Sequence, residues 1–202
     1  MAAKLNYIIP AGNFETIRDV IAVLLKLEMD NQAILRSNQD YTAEFYTERF
    51  TPVGINEGNV ITVDLAGGQL DNQTPISQVF EATYNIDIFT GAKETSANDG
   101  YYNSSVKLQR LAGLVRHILQ SPYYDRLGLE NGIVQRRSVS SIRFGSVNDE
   151  KDASFVRMGR IQLTVRIYEE SNEISVLAAA GYDTVIKISE TEKGFKLTYN
   201  NE

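Results

Sequence analysis

The alternation of apolar and polar residues is clearest over residues 80–90 and predicts a half-buried β-strand. One face carries Phe80, Ala82, Tyr84, Ile86 and Ile88, and the other carries Glu81, Thr83, Asn85 and Asp87. Such a strand packs one face on the core and turns the other towards solvent or a partner. Residues 59–65 alternate in the same way and end at Gly67 and Gly68, whereas residues 69–77 are polar, which predicts a loop.

Two segments repeat apolar residues at helical spacing and predict amphipathic helices over residues 13–29 and 104–120. Asn13 is the expected N-cap of the first helix, which we expect to end before Asp30 and Asn31. Asn103 or Ser104 is the expected cap of the second.

Two further strands are predicted over residues 133–144 and 155–168. In the second, apolar residues occupy odd positions after Gly159 and even positions before it. Such a switch at a glycine predicts a β-bulge and a long, bent strand, because one extra residue inverts the inward face. Residues 41–50, rich in aromatic residues and threonine, predict an edge strand.

The C-terminal segment contains two short strand-like runs, at residues 185–189 and 195–199, on either side of a turn with Gly194. Residues 169–173 are acidic and expected to be exposed. The pattern as a whole predicts an α+β fold: a mostly antiparallel twisted sheet packed by two helices, with a C-terminal β-hairpin extension. Residues 1–170 would form the main domain and residues 171–202 the linker and hairpin.

The amino-acid composition argues against several classes of function. The chain of 202 residues has no cysteine, so it has no disulfides and no thiolate chemistry. No apolar run approaches the roughly 18 residues of a membrane span, so we expect no membrane partner. The net charge of −6 argues against specific nucleic-acid binding. We also find no phosphate-binding loop, nucleophile elbow or metal-ligand spacing, and we expect no cofactor, no metal and no catalytic residue.

Two possible sources of chemistry remain. His117 is the single histidine and is expected on the solvated face of a helix. Asp64 and Asp87 could act as a carboxylate pair, but both occupy polar strand faces where solvation is expected.

The charges are unevenly distributed along the chain. Residues 1–100 hold 6 Lys and Arg against 14 Asp and Glu, a net charge of −8. Residues 101–168 have a net charge of +6, and residues 169–202 one of −4. One interpretation is chance distribution over solvated surfaces, and the other is an acidic surface of one subunit meeting a basic surface of the next.

Six residues are candidates for a subunit interface. They are Arg136, Arg137, Arg157, Arg160, Tyr101 and Tyr102. Arg157 and Arg160 are expected opposite the apolar residues of their strand, and changing both to Glu is expected to weaken assembly without unfolding the monomer. The tyrosines cover the rim of the core or offer contact area to a partner.

The order of elements resembles the tail terminator (tail completion) proteins of long-tailed bacteriophages. The resemblance rests on residues 14–21 (FETIRDVI), 84–90 (YNIDIFT), 105–112 (SVKLQRLA) and 159–168 (GRIQLTVRIY), and it covers residues 13–170. It implies a virion protein, assembled in the host cytoplasm, that forms a hexameric ring on the tail tube and stops its growth.

The resemblance also implies partners. They are the tail tube protein, the neck or connector proteins and, where the tail is contractile, the sheath, with DNA passing through the lumen without specific binding. Two alternatives stay open: a head-completion or stopper protein of the same neck, and a carboxylate-based enzyme.

Overall fold

The computed structural model describes residues 12–49, 53, 58–74, 77–93, 100–129, 132–146, 154–170, 187–191 and 194–198. These residues form an α+β fold, as predicted, with two helices packed on a five-stranded, mostly antiparallel open sheet. The helices are α1 (Asn13–Arg36) and α2 (Gly100–Gln120). Short 3₁₀ helices follow them at Gln39–Tyr41 and Pro122–Tyr124.

The sheet has the strand order β1-β2-β3-β5-β4. Its strands are β1 (Glu44–Thr47), β2 (Asn59–Gln73), β3 (Ser77–Lys93), β4 (Val134–Ser146) and β5 (Ser154–Glu170). β1 pairs in parallel with β2, and all other pairs in the sheet are antiparallel. β1 is the edge strand expected within residues 41–50, and β4 forms the opposite edge.

The predicted C-terminal hairpin is present as β6 (Lys187–Thr191) and β7 (Gly194–Thr198). The two strands pair with each other in antiparallel register, from Lys187 opposite Thr198 to Thr191 opposite Gly194. Residues 171–186, which contain most of the predicted linker, lie outside the described part of the chain.

The core lies between the helices and one face of the sheet. The apolar residues of β3 that the alternation predicted, together with those of β5 from Ile161 onwards, point towards it. Tyr84 is the largest fully buried side chain, and its hydroxyl donates to the carbonyl oxygen of Phe14 at 3.1 Å. Burial raises the pKa of Tyr84, because the phenolate would lose its hydration.

Helix α1 is longer than predicted at its C-terminal end. Its buried stripe continues through Met29 and Ala33, and this packing carries the helix past the polar pair Asp30 and Asn31. The helix ends at Arg36, and its C-cap Ser37 has a left-handed φ of 50°. Packing therefore outweighs the local polarity that suggested an earlier end.

The prediction that Asn13 caps α1 is wrong. Asn13 is the first helical residue, and its backbone N–H donates to Oε1 of Glu169 at 2.9 Å. Glu169 lies at the end of β5 and is partly buried, whereas the sequence suggested an exposed acidic segment. A side chain from a distant strand therefore occupies the position of a local cap. The predicted caps of α2 are also wrong, because Asn103 and Ser104 lie inside the helix that begins at Gly100.

Glu169→Ala is expected to lower the free energy of unfolding by about 1 kcal/mol, because the first turn of α1 loses an acceptor for its exposed N–H groups. Glu169→Gln keeps a side-chain oxygen and should lose less. Urea titration of both variants checks this, and equal losses for the two would show that Glu169 acts through its charge rather than as an acceptor.

The predicted loop over residues 69–77 is wrong for most of its length. β2 continues to Gln73 and pairs with β3 down to Gln78, with register shifts between Leu65 and Gly67 and between Leu70 and Asn72. Every residue of β2 from Leu65 onwards is exposed. Its polarity therefore reflects an exposed strand, not the absence of a strand.

The predicted bulge at Gly159 is also wrong. β5 pairs with β3 in one unbroken register, with Gly159 opposite Ile88. Gly159 lies on the helix side, where an added Cβ would come within 3.1 Å of Cδ1 of Leu108 and 3.2 Å of the Phe144 ring. A glycine at this position makes room for α2, and the apolar residues Val156 and Met158 that precede it lie on the opposite face of the strand. The register shifts of this region lie instead between Val134 and Arg136 and between Val139 and Ser141 of β4.

Candidate interaction surface

The sheet face away from the helices, called here the outer face, carries a band of polar side chains across four strands. This band is a consequence of strand alternation, because the residues at the intervening positions point to the other face and fill the core. The band consists of Thr62 and Asp64 on β2, Asn85 and Asp87 on β3, Arg160 and Gln162 on β5, and Ser141 and Arg143 on β4.

The centre of this band is an ion pair between Asp87 and Arg160, which are directly opposite each other on β3 and β5. Nε and Nη2 of Arg160 donate to the two carboxylate oxygens of Asp87 at 2.7 and 2.6 Å. The Asp87 side chain is only 6% exposed, whereas that of Arg160 is 41% exposed. The hydrogen bonds to Asp87 raise the pKa of Arg160 above its ordinary value. Asp87 is therefore not solvated, contrary to the expectation from sequence.

Neighbouring polar residues extend this network across the sheet. Nε2 of Gln162 donates to Oδ1 of Asn85 at 3.2 Å, and the hydroxyl of Ser141 lies 2.7 Å from Oε1 of Gln162. A second ion pair joins Arg166 on β5 to Asp71 on β2 at 2.5 Å, with both side chains well exposed. The sequence showed which residues are polar but not which pairs meet, because strand register is not readable from one strand alone.

The outer face is electrically polarised from one sheet edge towards the other. On the strands of this face the carboxylates come from β1, β2 and β3 and the guanidinium groups from β5 and β4, whereas Arg49, which follows β1, lies over the ring of Tyr46. Two like-charged pairs face each other between β4 and β5, namely Arg136 with Arg166 and Arg143 with Arg160. Such pairs destabilise a sheet unless each charge finds a counterion.

Two arginines of β4 lack such a counterion. Asp71 and Asp87 compensate the arginines of β5, but Arg136 and Arg143 are exposed and have no carboxylate partner among the described residues. The basic excess of residues 101–168 therefore includes an uncompensated edge of the sheet.

The six predicted interface residues do not form one patch. Arg160 and Arg136 lie on the outer face, whereas Arg157 and Arg137 are directed to the helix side by the strand alternation. Tyr102 is exposed in the first turn of α2, and the side chain of Tyr101 lies outside the described part of the structure. Arg143, which sequence reasoning did not select, has the exposed charge that the others were expected to supply.

Arg137 is engaged within its own chain. Its guanidinium donates to the carbonyl oxygen of Ser121 at 2.5 Å and to that of Asp125 at 3.2 Å. These carbonyls follow the C-terminus of α2, where a cation is favoured by the helix dipole. Burial lowers the pKa of Arg137 from its ordinary value. Arg137 therefore links the turn after α2 to β4 through these hydrogen bonds.

The pair Arg157 and Arg160 also requires a correction. Without a bulge between them, residues three apart on a strand point to opposite faces, so the two side chains cannot share one contact surface. Changing both to Glu would place a second carboxylate against the buried Asp87. The monomer should then be destabilised, contrary to the expectation that only assembly would suffer.

Asp64 lies beside this network on β2. Its pKa is raised, first by burial and then by the negative charges of Glu48 and Asp87. A raised pKa means that the folded protein binds the proton more readily than the unfolded chain. The ionised carboxylate therefore lowers stability at neutral pH, and this penalty disappears as the pH falls below the ordinary pKa of aspartate.

Asp64→Asn is accordingly expected to stabilise the protein at pH 7 and to have a smaller effect near pH 4. The amide keeps an oxygen that can accept the hydrogen bond from the hydroxyl of Thr62. Denaturant unfolding at both pH values checks this. A loss of stability at pH 7 would mean that the ionised form is favoured by its hydrogen bonds.

A groove of about 790 Å³ lies on the other side of the molecule, between the exposed parts of α1 and α2. The hydroxyl of Tyr124 donates to Glu28 across it, and Arg36 stacks on the ring of Tyr41. His117 lines this groove and is exposed, as predicted. No group of three or more His, Asp or Glu residues in the described ranges is arranged to hold a metal ion.

Comparisons with known proteins add no assignment: no protein-family model matches the chain, and no curated protein matches it. Neither helix in the described ranges combines the length and the hydrophobicity that a membrane span requires.

Proposed function

We propose that this chain is a structural virion protein of the tail terminator class. In this proposal six copies form a ring on the end of a phage tail tube, end its polymerisation and offer a docking surface to the neck proteins. The ring is part of the tail and neck of the virion, and a sheath would be a further neighbour in a contractile tail.

The observation that carries this proposal is the polarised outer face. A ring needs a heterologous contact, in which two different and complementary patches lie on each subunit. Carboxylates towards one sheet edge and uncompensated arginines at the other provide two such patches. The resemblance in element order supplies the particular class.

The overall negative charge also suits this role. A net charge of −6 disfavours retention of DNA, whose phosphates would be repelled by an acidic lumen. Asp87, half of the carboxylate pair considered for catalysis, is neutralised by Arg160. This ion pair counts against the enzyme alternative, because acid–base catalysis by the two carboxylates would need Asp87 free to exchange a proton.

A tube-capping assay tests the proposal. Purified chain would be added to polymerising tail tube protein of the same phage, and the tube ends would be examined by negative-stain electron microscopy. We expect a ring at one end of each tube and tubes that stop growing after its addition. Tubes of unchanged length with bare ends would contradict the proposal.

A second arm of the assay separates the tail terminator from a head-completion protein. Immobilised portal and immobilised tube would be offered to the chain separately. Binding to tubes alone supports the proposal, and binding to portal alone would replace it with the stopper alternative.

A further inference from the structure

The five-stranded sheet has two open edges. β1 pairs only with β2, and β4 pairs only with β5 among the described strands. The free side of an edge strand presents unpaired N–H and C=O groups that can accept another strand. β4 is long for an edge strand, with 13 residues, and contains no proline.

The two edges carry uncompensated charges of opposite sign. On β1, Glu44 is exposed and accepts a hydrogen bond from the hydroxyl of Tyr46 at 2.7 Å, but it has no cationic partner among the described residues. On β4, Arg136 and Arg143 are exposed and equally lack a carboxylate partner there. Arg49 lies over the Tyr46 ring, so one cation also stands beside β1.

A pocket of about 420 Å³ lies next to the exposed arginine of β4. It is lined by Arg143, Phe144, Gly145, Met158, Arg160 and Gln162. Since Asp87 neutralises Arg160, the free charge of this pocket is that of Arg143. The pocket thus combines an uncompensated guanidinium with apolar walls, which suits a carboxylate flanked by aromatic side chains. β1 offers a carboxylate beside one aromatic ring, because Glu44 and Tyr46 lie on the same face of the strand and Phe45 packs against the core.

We infer that the β4 edge of one copy docks against the β1 edge of a second copy, with Arg143 facing Glu44 of that second copy. The contact is heterologous, so each copy uses both edges and the chain of contacts can close into a ring. The arginines and register shifts of β4 would disfavour pairing with unrelated strands. An edge that carries a carboxylate, such as β1 with Glu44, can still pair with it. The inference names the subunit contact of the proposed ring and to that extent rests on the proposed function.

A charge-swap experiment tests the contact with the full chain. Glu44→Arg and Arg143→Glu each place like charges across the contact and should weaken self-association by about tenfold or more. The double variant restores opposite charges and should recover assembly. Arg110→Glu, at an exposed position of α2, makes the same change of charge away from both edges and should leave assembly unchanged. Mass photometry measures assembly, and circular dichroism confirms folding.

Cysteine crosslinking tests the same contact without relying on charge. The chain has no cysteine, so Tyr46→Cys on β1 and Ser141→Cys on β4, which both lie on the outer face beside Glu44 and Arg143, introduce the only thiols. The double variant should give a ladder of crosslinked multimers with a short bismaleimide. Each single variant should stay uncrosslinked, because a heterologous contact brings different edges together.

Several outcomes would overturn the inference. One is a single-cysteine variant that crosslinks to itself, which would indicate a symmetric dimer. A second is that both single charge-reversal variants assemble as well as the wild type. A third is that the wild-type chain stays monomeric at all concentrations. Tube capping is measured separately, so a capping protein with a different contact would overturn this inference and leave the proposed function intact.

Discussion

Arg160→Met is expected to lower the free energy of unfolding by about 2–3 kcal/mol, because it leaves the carboxylate of Asp87 buried without its partner. Breaking a fully buried pair costs about 3–5 kcal/mol. The loss expected here is smaller, because Arg160 is partly exposed and water can enter the space that it leaves. Methionine keeps most of the aliphatic packing, so the loss measures the charge. Urea unfolding at pH 7 gives the value.

Arg166→Met is the matched control. Arg166 lies on the same strand and face, and its partner Asp71 is 45% exposed where Asp87 is only 6% exposed. The expected loss is about 0–1 kcal/mol, as for other surface pairs. Equal losses in the two variants would show that burial of Asp87 does not set the energy of the pair.

Replacing both partners provides a second check. Asp87→Leu combined with Arg160→Met removes the buried charge together with its counterion, and stability should return to within about 1 kcal/mol of the wild type. A double variant as unstable as Arg160→Met would instead point to loss of side-chain packing on the outer face.

Gly159→Val is expected to destabilise the protein by about 1–3 kcal/mol, because the side chain would enter space already occupied by α2. An added Cβ lies 3.1 Å from Cδ1 of Leu108, which is almost fully buried and has little room to move. The exposed Phe144 ring can turn away, so the cost arises mainly from displacing the helix. Thermal and urea unfolding measure it.

Gly145→Val is the control for strand propensity. Gly145 lies on β4, opposite Met158, and an added Cβ meets nothing within 4 Å. This variant should be neutral or slightly more stable, because valine favours strands over glycine. Similar destabilisation at both positions would argue against a specific clash at residue 159.

Leu108→Ala supplies the complementary change. Alone it should cost about 2–5 kcal/mol through the cavity it leaves. Combined with Gly159→Val, the total loss should be smaller than the sum of the two, since valine then fills part of that cavity. Simple additivity would show that the two side chains do not compete for the same space.

The sequence predicted those features that depend on local periodicity. The alternation over residues 80–90 identified β3 and its core face, and helical spacing identified both helices. The C-terminal hairpin is another local feature, and its two strands pair as predicted up to Thr191 and Gly194. In each case neighbouring residues alone carry the information, because side-chain direction follows the backbone repeat.

Most errors arose where a distant segment decided the outcome. Glu169 replaces Asn13 as the acceptor at the start of α1, and pairing with β3 extends β2 through a segment that looks like a loop. Polar composition describes exposure, and an exposed strand whose partner lies elsewhere in the chain can have the same composition as a loop.

In the candidate interaction surface, too, the sequence determined some features and the tertiary structure determined others. The sequence by itself determined which strand positions are polar, the uneven distribution of charge and the absence of cysteine. Only the tertiary structure decided that Asp87 meets Arg160, that Gly159 makes room for Leu108, and that Arg136 and Arg143 lie at a sheet edge without a carboxylate partner among the described residues. Strand register and helix docking bring together residues far apart in the chain, and no local pattern encodes which of these residues will meet.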